Sequence, residues 1–342
     1  MKLKFALLVM CIMVMATGCN KSNKGEPQIK DDDNKPVVEI PIVEEPKLQI
    51  VNVDSTTRPI AVMINNHPAA RPNHAGLQDA YLVYEVIVEG GITRLMAIFK
   101  DQTTARIGSV RSSRHYFLDY ALENDAIYTH FGWSERAKSD ISTLGIANVN
   151  GLYDSGFWRD KTLNVAYEHT AFTNIENIKS VISKKGYRGT SDKKLLLNYS
   201  VDEVNISTLT NAVLANKVSI DYSKSNNTTY VYDPALKIYN RLINNKAHVD
   251  AVTKKQYTAK NIVVTKVENY TFDSYGRQDL RNIGTGSGYY ITNGYAVPIT
   301  WSKTSRSSQT VYKYATGEEI IVNDGNTYIQ IQPKNQQLQI NE

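Results

Sequence analysis

Short apolar runs that end at turn residues dominate the first half of the chain. Residues 60–64 are continuously apolar and stop at Asn65 and Asn66, which predicts a buried strand. The segment AYLVYEVIVEGG predicts a second strand that ends at Gly90 and Gly91, and TRLMAIF predicts its hairpin partner. The folded body is therefore expected to open with strands.

The spacing of apolar residues then becomes helical. Ser112 or Ser113 is expected to cap a helix that runs through Leu122, and AIYTHF predicts a short strand after it. Ser134 is expected to open a second helix, and residues 175–185 predict a third. Strands and helices that alternate in this way indicate an α+β or α/β domain, which we place at residues 51–204.

Beyond about Asn205 the pattern changes again. Tyr, Val, Ile and Thr occur in short runs that Asn, Gly, Asp and Pro separate, as is typical of strands joined by turns. The glycine-rich GTGSG at 284–288 predicts a tight turn. Residues 205–342 are therefore expected to form a smaller all-β C-terminal domain.

The amino terminus has the order of a secretory signal. Lys2 and Lys4 precede an apolar run at 5–15, and small residues then lead to Cys19. About eleven apolar residues rise only ~16 Å as a helix, roughly half of the ~30 Å hydrocarbon core. A cysteine directly after two small residues is typical of bacterial lipoprotein signals, although Ala16 stands where Leu is usual. We predict a signal peptide at 1–18 and a lipid, such as palmitate, on Cys19.

The alternative for Cys19 is an incidental thiol after an ordinary cleavage site. The chain has two cysteines, and Cys11 lies in the part that would be removed, so no internal disulfide would remain. A lone exposed thiol is a liability in an exported protein unless a modification consumes it. Residues 19–50 that follow are rich in Lys, Asp, Glu and Pro, which predicts a flexible tether.

Charge and histidine spacing narrow the classes of partner. The formal net charge is +5, and it falls further when Lys2 and Lys4 are removed, so nucleic acid is not an expected partner. Five of the six histidines precede residue 170, but none shows a metal-binding spacing. The sequence therefore predicts neither a metal site nor a cofactor.

The long blocks RPIAVMINNHPAARPNHAGLQDAYLVYEVIVEGGITRLMAIF and IGSVRSSRHYFLDYALENDAIYTHFGWS, followed by FWRD, are distinctive. With IYNRLINNKAHVDAVTKKQYTAKNIVV and NDGNTYIQIQP, they resemble the YerB-like lipoproteins of Gram-positive bacteria. That family has two consecutive domains of unknown function. The resemblance implies a lipid anchor on the extracytoplasmic face of the cell membrane, and it implies no particular reaction.

The segment RIGSVRSSRHY carries the strongest local signal for a ligand. It places Arg111 and Arg114 at the start of a predicted helix, where free backbone N–H groups favour an anion. The alternative is an internal ion pair of either arginine with Glu85 or Glu89. We expect one polar cleft at these strand ends and helix starts. Its ligand-binding candidates are Asn65, Asn66, Arg111, Arg114 and Arg159, and Glu85, Glu89 and His130 complete it.

Glu85, Glu89 and His130 are also the candidates for catalysis. Four residues along one strand separate the two carboxylates by ~13 Å, which exceeds the ~5–9.5 Å that glycosidases use. The alternative is that Glu89 forms a salt bridge with Arg94 across the turn. Nucleophile motifs of the common acyl-transfer enzymes do not occur in the sequence.

The function that this sequence favours is binding rather than catalysis. The expected partners are the membrane, through the lipid anchor, and a cell-wall glycan, peptide or anionic polymer. Two alternatives stay open: a hydrolase of cell-wall glycan or another envelope polymer, and a scaffold that binds an envelope protein partner in a wall-synthesis or sporulation complex.

Overall fold

The computed structural model describes residues 47–341. The predicted signal peptide, Cys19 and most of the predicted tether lie outside the described residues. The chain is fixed to the folded body before residue 51, because the backbone N–H groups of Gln49 and Ile50 donate to the Asp324 carboxylate at 2.8 and 3.0 Å.

The N-terminal segment contains nine strands and three α-helices among the described residues. The strands are β1 Ile60–Asn65, β2 Leu82–Ile87, β3 Thr93–Phe99, β4 Ile107–Gly108, β5 Ile127–His130, β6 Asn148–Asn150, β7 Trp158–Arg159, β8 Ala171–Thr173 and β9 Asn198–Ser200. The helices are α1 His115–Glu123, α2 Glu135–Thr143 and α3 Ile175–Lys184.

The C-terminal segment consists of strands joined by turns. They are β10 Val213–Leu214, β11 Lys217–Ser223, β12 Asn226–Asp233, β13 Ile238–Ile243, β14 Lys246–Ala247, β15 Thr258–Ala259, β16 Asn261–Val267, β17 Asn269–Thr271, β18 Gln278–Leu280, β19 Gly284–Thr292, β20 Tyr295–Lys303, β21 Val311–Tyr314, β22 Ile321–Asn323, β23 Thr327–Pro333 and β24 Leu338–Asn341. This confirms the expectation of a mostly β C-terminal region.

One mixed sheet of eleven strands includes strands from both segments. Its order is β10-β20-β19-β16-β23-β2-β3-β1-β5-β6, and β21 pairs with β20. The two segments meet where β2 pairs in parallel with β23, from Leu82 opposite Thr327 to Val86 opposite Ile331. Two regions of separate sequence thus contribute to one hydrogen-bonded layer. The predicted boundary between residues 204 and 205 stays a prediction.

Both faces of the central sheet are covered. Helix α1 packs on one face, where Phe117 and Leu118 join Leu82 and Tyr84 in an apolar cluster. On the other face Val83 packs with residues of α3 and of a second sheet, ordered β14-β13-β12-β11-β24. Because neither face meets water, β1, β2 and β3 are buried at every position.

The predicted strands of the N-terminal segment are confirmed. The segment AYLVYEVIVEGG forms β2, TRLMAIF forms its antiparallel partner β3, and AIYTHF forms β5. Ser134 caps α2, with its hydroxyl accepting from the Ala137 N–H at 3.3 Å. The three helices are short, however, and strands dominate, so the N-terminal segment is not clearly of the α+β or α/β class.

Two local predictions were wrong. Neither Ser112 nor Ser113 caps α1: Arg114 precedes the helix without a capping side chain, and the Ser113 hydroxyl accepts from Tyr128. The glycine-rich 284–288 is the start of β19 rather than a turn. A Cβ at Gly288 would lie 2.0 Å from the Val264 carbonyl oxygen, so this glycine permits close strand packing.

No helix within the described part of the chain combines the length and the apolar character that a membrane span requires.

Candidate functional site

Three parallel strands end side by side at one edge of the central sheet. Strand β1 pairs in parallel with β5, and β5 pairs in parallel with β6. Their last residues are Asn65, His130 and Asn150, all buried polar side chains. The carboxyl ends of parallel strands are where such sheets usually place ligands, so this edge is the first region to consider.

Asn65 and Asn66 send their side chains to two different regions. The Asn65 amide lies 2.8 Å from the His169 ring Nδ1, whereas the Asn66 amide donates to the Thr93 hydroxyl at 2.7 Å. Neighbouring residues of an extended chain point to opposite faces. Each asparagine therefore belongs to a separate polar region.

The first region contains four arginines, Arg94, Arg111, Arg114 and Arg159, which we call the arginine cluster. Arg94 lies opposite Asn65 in the β1–β3 register. The backbone N–H of Arg111 donates to Met63 of β1, and Arg114 immediately precedes α1. The β1–β3 register thus positions Arg94, the hydrogen bond to β1 positions Arg111, and the start of α1 positions Arg114.

Two carboxylates accompany the cluster. Glu89 accepts a bidentate contact from Arg114, at 2.5 and 3.1 Å, and this ion pair lowers the pKa of Glu89 although burial opposes the shift. Glu168 lies 3.7 Å from Arg111 and is more than half exposed. Within residues 47–341, Arg94 and Arg159 have no carboxylate within 4.0 Å. The cluster therefore carries more positive than negative charge.

Arg94 is the most buried arginine of the cluster, since only 5% of its surface is exposed. Its guanidinium donates to the Ser112 carbonyl oxygen. Burial, together with the positive charge of Arg114, lowers the pKa of Arg94 to about 9, so it stays protonated at neutral pH. A buried cation without a carboxylate is costly, and a bound anion would compensate it.

Arg159 is held flat between two aromatic rings. Its guanidinium carbon lies 4.3 Å from the centre of the Phe131 ring and 4.0 Å from that of Tyr167, whose carbonyl oxygen also accepts at 2.5 Å. Its Nε is buried and has no hydrogen-bond partner in the described structure, and the same is true of the Ser109 hydroxyl. A buried donor without a partner is energetically unfavourable.

A pair of stacked histidine rings lies beside the cluster. The rings of His67 and His169 have their centres 4.7 Å apart and are nearly parallel. Burial lowers the pKa of His169, and the nearby His67 and Arg111 add to that shift. His169 is therefore neutral at pH 7 and adds no charge to the cluster.

The second region centres on Glu85, which is completely buried. Its carboxylate forms an ion pair with Arg241 at 2.6 Å, and both side chains are 0% exposed. Hydroxyls of Thr93 and Thr228 also donate to it, at 2.7 and 3.0 Å. Burial alone would lower the pKa of Arg241, but the charge of Glu85 outweighs burial and raises it.

A chain of hydrogen bonds continues from Arg241. Arg241 contacts the Nδ1 of His248, the Nε2 of His248 lies 2.7 Å from the Nδ1 of His74, and the Nε2 of His74 lies 2.6 Å from the Asn65 carbonyl oxygen. A carbonyl only accepts and a guanidinium only donates, so each neutral ring must carry its proton on Nε2. Burial agrees, since it lowers the pKa of His74 to about 4 and that of His248 further. We call Glu85, Arg241, His248 and His74 the buried ladder.

His130 belongs to neither region. Its Nδ1 lies 2.8 Å from the Gly132 carbonyl oxygen and its Nε2 lies 3.2 Å from the Asn148 side chain. Burial lowers the pKa of His130 to about 4, which keeps the ring neutral. A neutral ring has one N–H and can donate to only one of these two oxygens. Neither nitrogen contacts Glu85 or Glu89.

The eight residues expected to share one cleft thus divide into three groups. Arg111, Arg114, Arg159, Asn65 and Glu89 lie at or beside the arginine cluster, Asn66 and Glu85 face the buried ladder, and His130 stands apart. The partner of Glu89 is Arg114 rather than Arg94. A ligand-binding role for any of them stays a prediction.

Sequence reasoning considered Arg94 only as a partner of Glu89, and it missed Arg241. The predicted hairpin could have indicated Arg94, because it follows the turn and must lie opposite the end of β1. Arg241 lies on the buried face of β13, between Tyr239 and Ile243. A charged residue in an apolar alternation signals a buried partner, but it does not identify that partner.

No group of three or more His, Cys, Asp or Glu side chains in the described part of the chain is arranged to hold a metal ion. The residues that could bind a ligand in the cluster are donors of hydrogen bonds, which suits anions.

Comparison with known proteins identifies the family. The model described as "Protein of unknown function (DUF3048) N-terminal domain" matches residues 48–188, and that of the C-terminal domain matches residues 218–329. The Bacillus subtilis (strain 168) protein named "Putative lipoprotein YerB" is 31% identical over 281 residues, 81% of each chain. The chain belongs to the YerB-like family.

A solved structure supports the same conclusion. The crystal structure of the YerB protein from Bacillus subtilis matches with a TM-score of 0.72 at 30% identity, covering 83% of this chain and 94% of that chain. The resemblance drawn from the sequence blocks is therefore confirmed, and the two consecutive domain models of the YerB-like family are both present.

Proposed function

We propose that this protein is a lipoprotein anchored through Cys19 on the extracytoplasmic face of the cell membrane, and that its arginine cluster binds an anionic envelope ligand. The ligand chemistry is a carboxylate or phosphate group on a cell-wall polymer or peptide.

Two observations support the anchor. The sequence before Cys19 has the charged, apolar and small-residue order of a lipoprotein signal. The related Bacillus subtilis protein is itself named as a lipoprotein. Replacement of Cys19 by Ser should release the chain from the membrane fraction and abolish labelling with radioactive palmitate. Retention of the label in that variant would reject Cys19 as the attachment site.

One observation carries the proposal of anion binding: Arg94 and Arg159 are cationic and lack a carboxylate partner within residues 47–341. Glu89 and Glu168 balance only part of the charge, and Glu168 is far from ideal contact at 3.7 Å. A ligand oxygen at the cluster would receive charge-assisted hydrogen bonds, each typically about 1.5–3 kcal/mol.

The test is calorimetric titration of the chain carrying Cys19→Ser with poly(glycerol phosphate) and, separately, with poly-glutamate. We expect one or both to bind, with an affinity that decreases as salt increases. The variants Arg111→Gln and Arg159→Gln should weaken binding by at least about tenfold, the equivalent of one lost charge-assisted hydrogen bond.

Arg188→Gln is the matched control. Arg188 pairs with Asp125 just before β5, at the amino end of the parallel strands and thus at the opposite edge of the sheet. Its replacement should leave the affinity unchanged. Equal losses in Arg188→Gln and Arg111→Gln would mean that binding reflects net charge alone, and would reject the cluster as the site.

The hydrolase alternative gains no observation in its favour. Glu85 is completely buried and its carboxylate is occupied by Arg241 and two threonine hydroxyls. A general acid must reach the substrate oxygen. Glu89 is likewise engaged by Arg114.

A further inference from the structure

A cavity that shares no lining residue with the arginine cluster lies between the two sequence segments. Its volume is about 510 Å³, within the range of small-molecule sites. The turn that contains Pro68 and Pro72 forms one wall, and the β13–β14 hairpin with residues 248–254 forms the other. We call it the hairpin cavity.

Much of the wall of the hairpin cavity is apolar and rigid. Pro68 and Pro72 contribute rings from the N-terminal segment, and Ile243, Ala247 and Val249 contribute aliphatic side chains from the C-terminal segment. Proline fixes its own backbone, so this wall needs little ordering when a ligand binds. Such a surface favours a hydrocarbon chain.

Three cations also line the cavity: Arg71, Lys246 and Lys254. None of them has a carboxylate within 4.0 Å among residues 47–341. The Arg71 guanidinium is held in place by two neutral acceptors, the Asn66 carbonyl oxygen at 3.0 Å and the Asn226 side-chain oxygen at 2.5 Å. It is therefore oriented in advance and retains its charge for a ligand.

Asp250 is the one acidic residue of the lining, and its carboxylate is already occupied. It accepts from the backbone N–H of Gly76 at 2.8 Å, from Val252 and Thr253 at 2.8 and 2.9 Å, and from the Tyr257 hydroxyl at 2.7 Å. These donors leave it little capacity to pair with the cations, so the lining keeps a positive surplus.

His248 closes the inner end of the cavity and is 3% exposed. Both of its ring nitrogens are bound within the buried ladder, one to Arg241 and the other to His74. The ring therefore presents a neutral, fixed edge to the cavity rather than a free donor or base.

We propose that the hairpin cavity binds an amphiphilic anion, namely an aliphatic carboxylate. The hydrocarbon chain lies between the proline turn and the hairpin, and the carboxylate faces Arg71 with Lys246 and Lys254 at the rim. This site is separate from the arginine cluster, so either can be correct without the other.

The test uses the chain carrying Cys19→Ser and sodium decanoate as the probe, with 1-decanol as its uncharged match. Calorimetry should show saturable 1:1 binding of decanoate with a negative heat-capacity change, because apolar surface is buried. Decanol should bind at least about tenfold more weakly, since it cannot accept a charge-assisted contact. Equal affinity for decanoate and decanol would overturn the proposal. So would the absence of saturable decanoate binding up to a concentration of about 10 mM.

Three variants locate the ligand. Arg71→Gln should weaken decanoate binding about tenfold and reduce the preference for decanoate over decanol by the same factor. Lys246→Gln, on the exposed rim, should weaken it about threefold. Ala247→Phe should fill the cavity from the rim and remove binding of both probes. Because Lys246 and Ala247 are exposed, these two variants keep the test decisive should Arg71→Gln fail to fold.

Arg111→Gln is the control that separates the two sites. It should leave decanoate binding unchanged while it weakens the polyanion at the arginine cluster. A loss of decanoate binding in Arg111→Gln, with no effect of Ala247→Phe, would place the anion in the cluster and reject the hairpin cavity.

Discussion

The arginine cluster and the buried ladder begin at adjacent residues, Asn65 and Asn66, yet they differ in how their charges are balanced. In the ladder, Glu85 and Arg241 pair at 2.6 Å and are 0% exposed. In the cluster, a surplus of guanidinium groups reaches partly exposed positions. Buried charges that pair with each other stabilise the fold, whereas a surplus of one charge remains available for a ligand.

The same comparison explains why the sequence predicted one polar cleft instead of two separate regions. The candidates have the same residue types and lie at the ends of the same strands. Adjacent side chains on a strand point to opposite faces. Asn65 and Asn66 therefore contact two different regions, although they are neighbours in the sequence.

The largest effect should come from breaking the ladder. Arg241→Met leaves the Glu85 carboxylate buried without its counter-charge, and should lower the free energy of unfolding by about 3–5 kcal/mol. Urea denaturation measures this loss. The double variant Glu85→Gln with Arg241→Met removes both charges and should recover at least half of it. A small effect of Arg241→Met would show that the ladder does not stabilise the fold.

Acid should weaken the protein through its buried histidines. The pKa of His74 and of His130 falls from 6.5 to about 4 on burial. The unfolded chain therefore binds more protons between these values, so stability is complete above about pH 6.5 and decreases as the pH falls towards 4. Each shift corresponds to about 3 kcal/mol.

Denaturation midpoints measured from pH 7 to pH 4.5 test this dependence. His74→Gln should flatten the slope only in part, because His130 and His248 still contribute to it. A slope that His74→Gln leaves unchanged would mean that His74 is already protonated in the folded protein. The arginines of the cluster do not titrate in this window, so they do not contribute to the slope.

Removal of one negative charge from the cluster should slightly lower the stability and modestly raise the affinity for an anionic ligand. Glu89→Gln breaks a partly exposed ion pair with Arg114, which should reduce stability by about 1 kcal/mol or less. The positive surplus increases, so the affinity for an anionic polymer should rise about threefold. Weaker binding in Glu89→Gln would show that the Arg114 position, rather than charge, controls the site.

The smallest effect is expected at a surface pair. Lys237 and Glu203 lie 2.7 Å apart, but both side chains are about half exposed. Water screens such a pair, and Glu203→Gln should leave the stability almost unchanged. The stability change in Glu203→Gln is the reference for an exposed ion pair, with which the loss in Arg241→Met is compared. A loss comparable to that of Arg241→Met would remove the contrast between the two kinds of ion pair.

The candidate site was only partly predictable. The signal in RIGSVRSSRHY drew attention to the segment that carries Arg111 and Arg114, and its role in binding stays a prediction. The ion pair of Arg114 with Glu89 is one of the alternatives that the sequence left open. The hairpin cavity was not predicted. Its walls come from Pro68 and from Ile243, which local patterns cannot bring together.

By itself, the sequence determined the family, the apolar strands β1, β2, β3 and β5, and the start of α2 at Ser134, because these depend on periodicity and on caps within a few residues. Only the tertiary structure decided the partner of Glu85, since Arg241 lies 156 residues away and β2 joins β23 across the two segments. Local patterns show that a charge will be buried, but which charge compensates it depends on how distant strands pair.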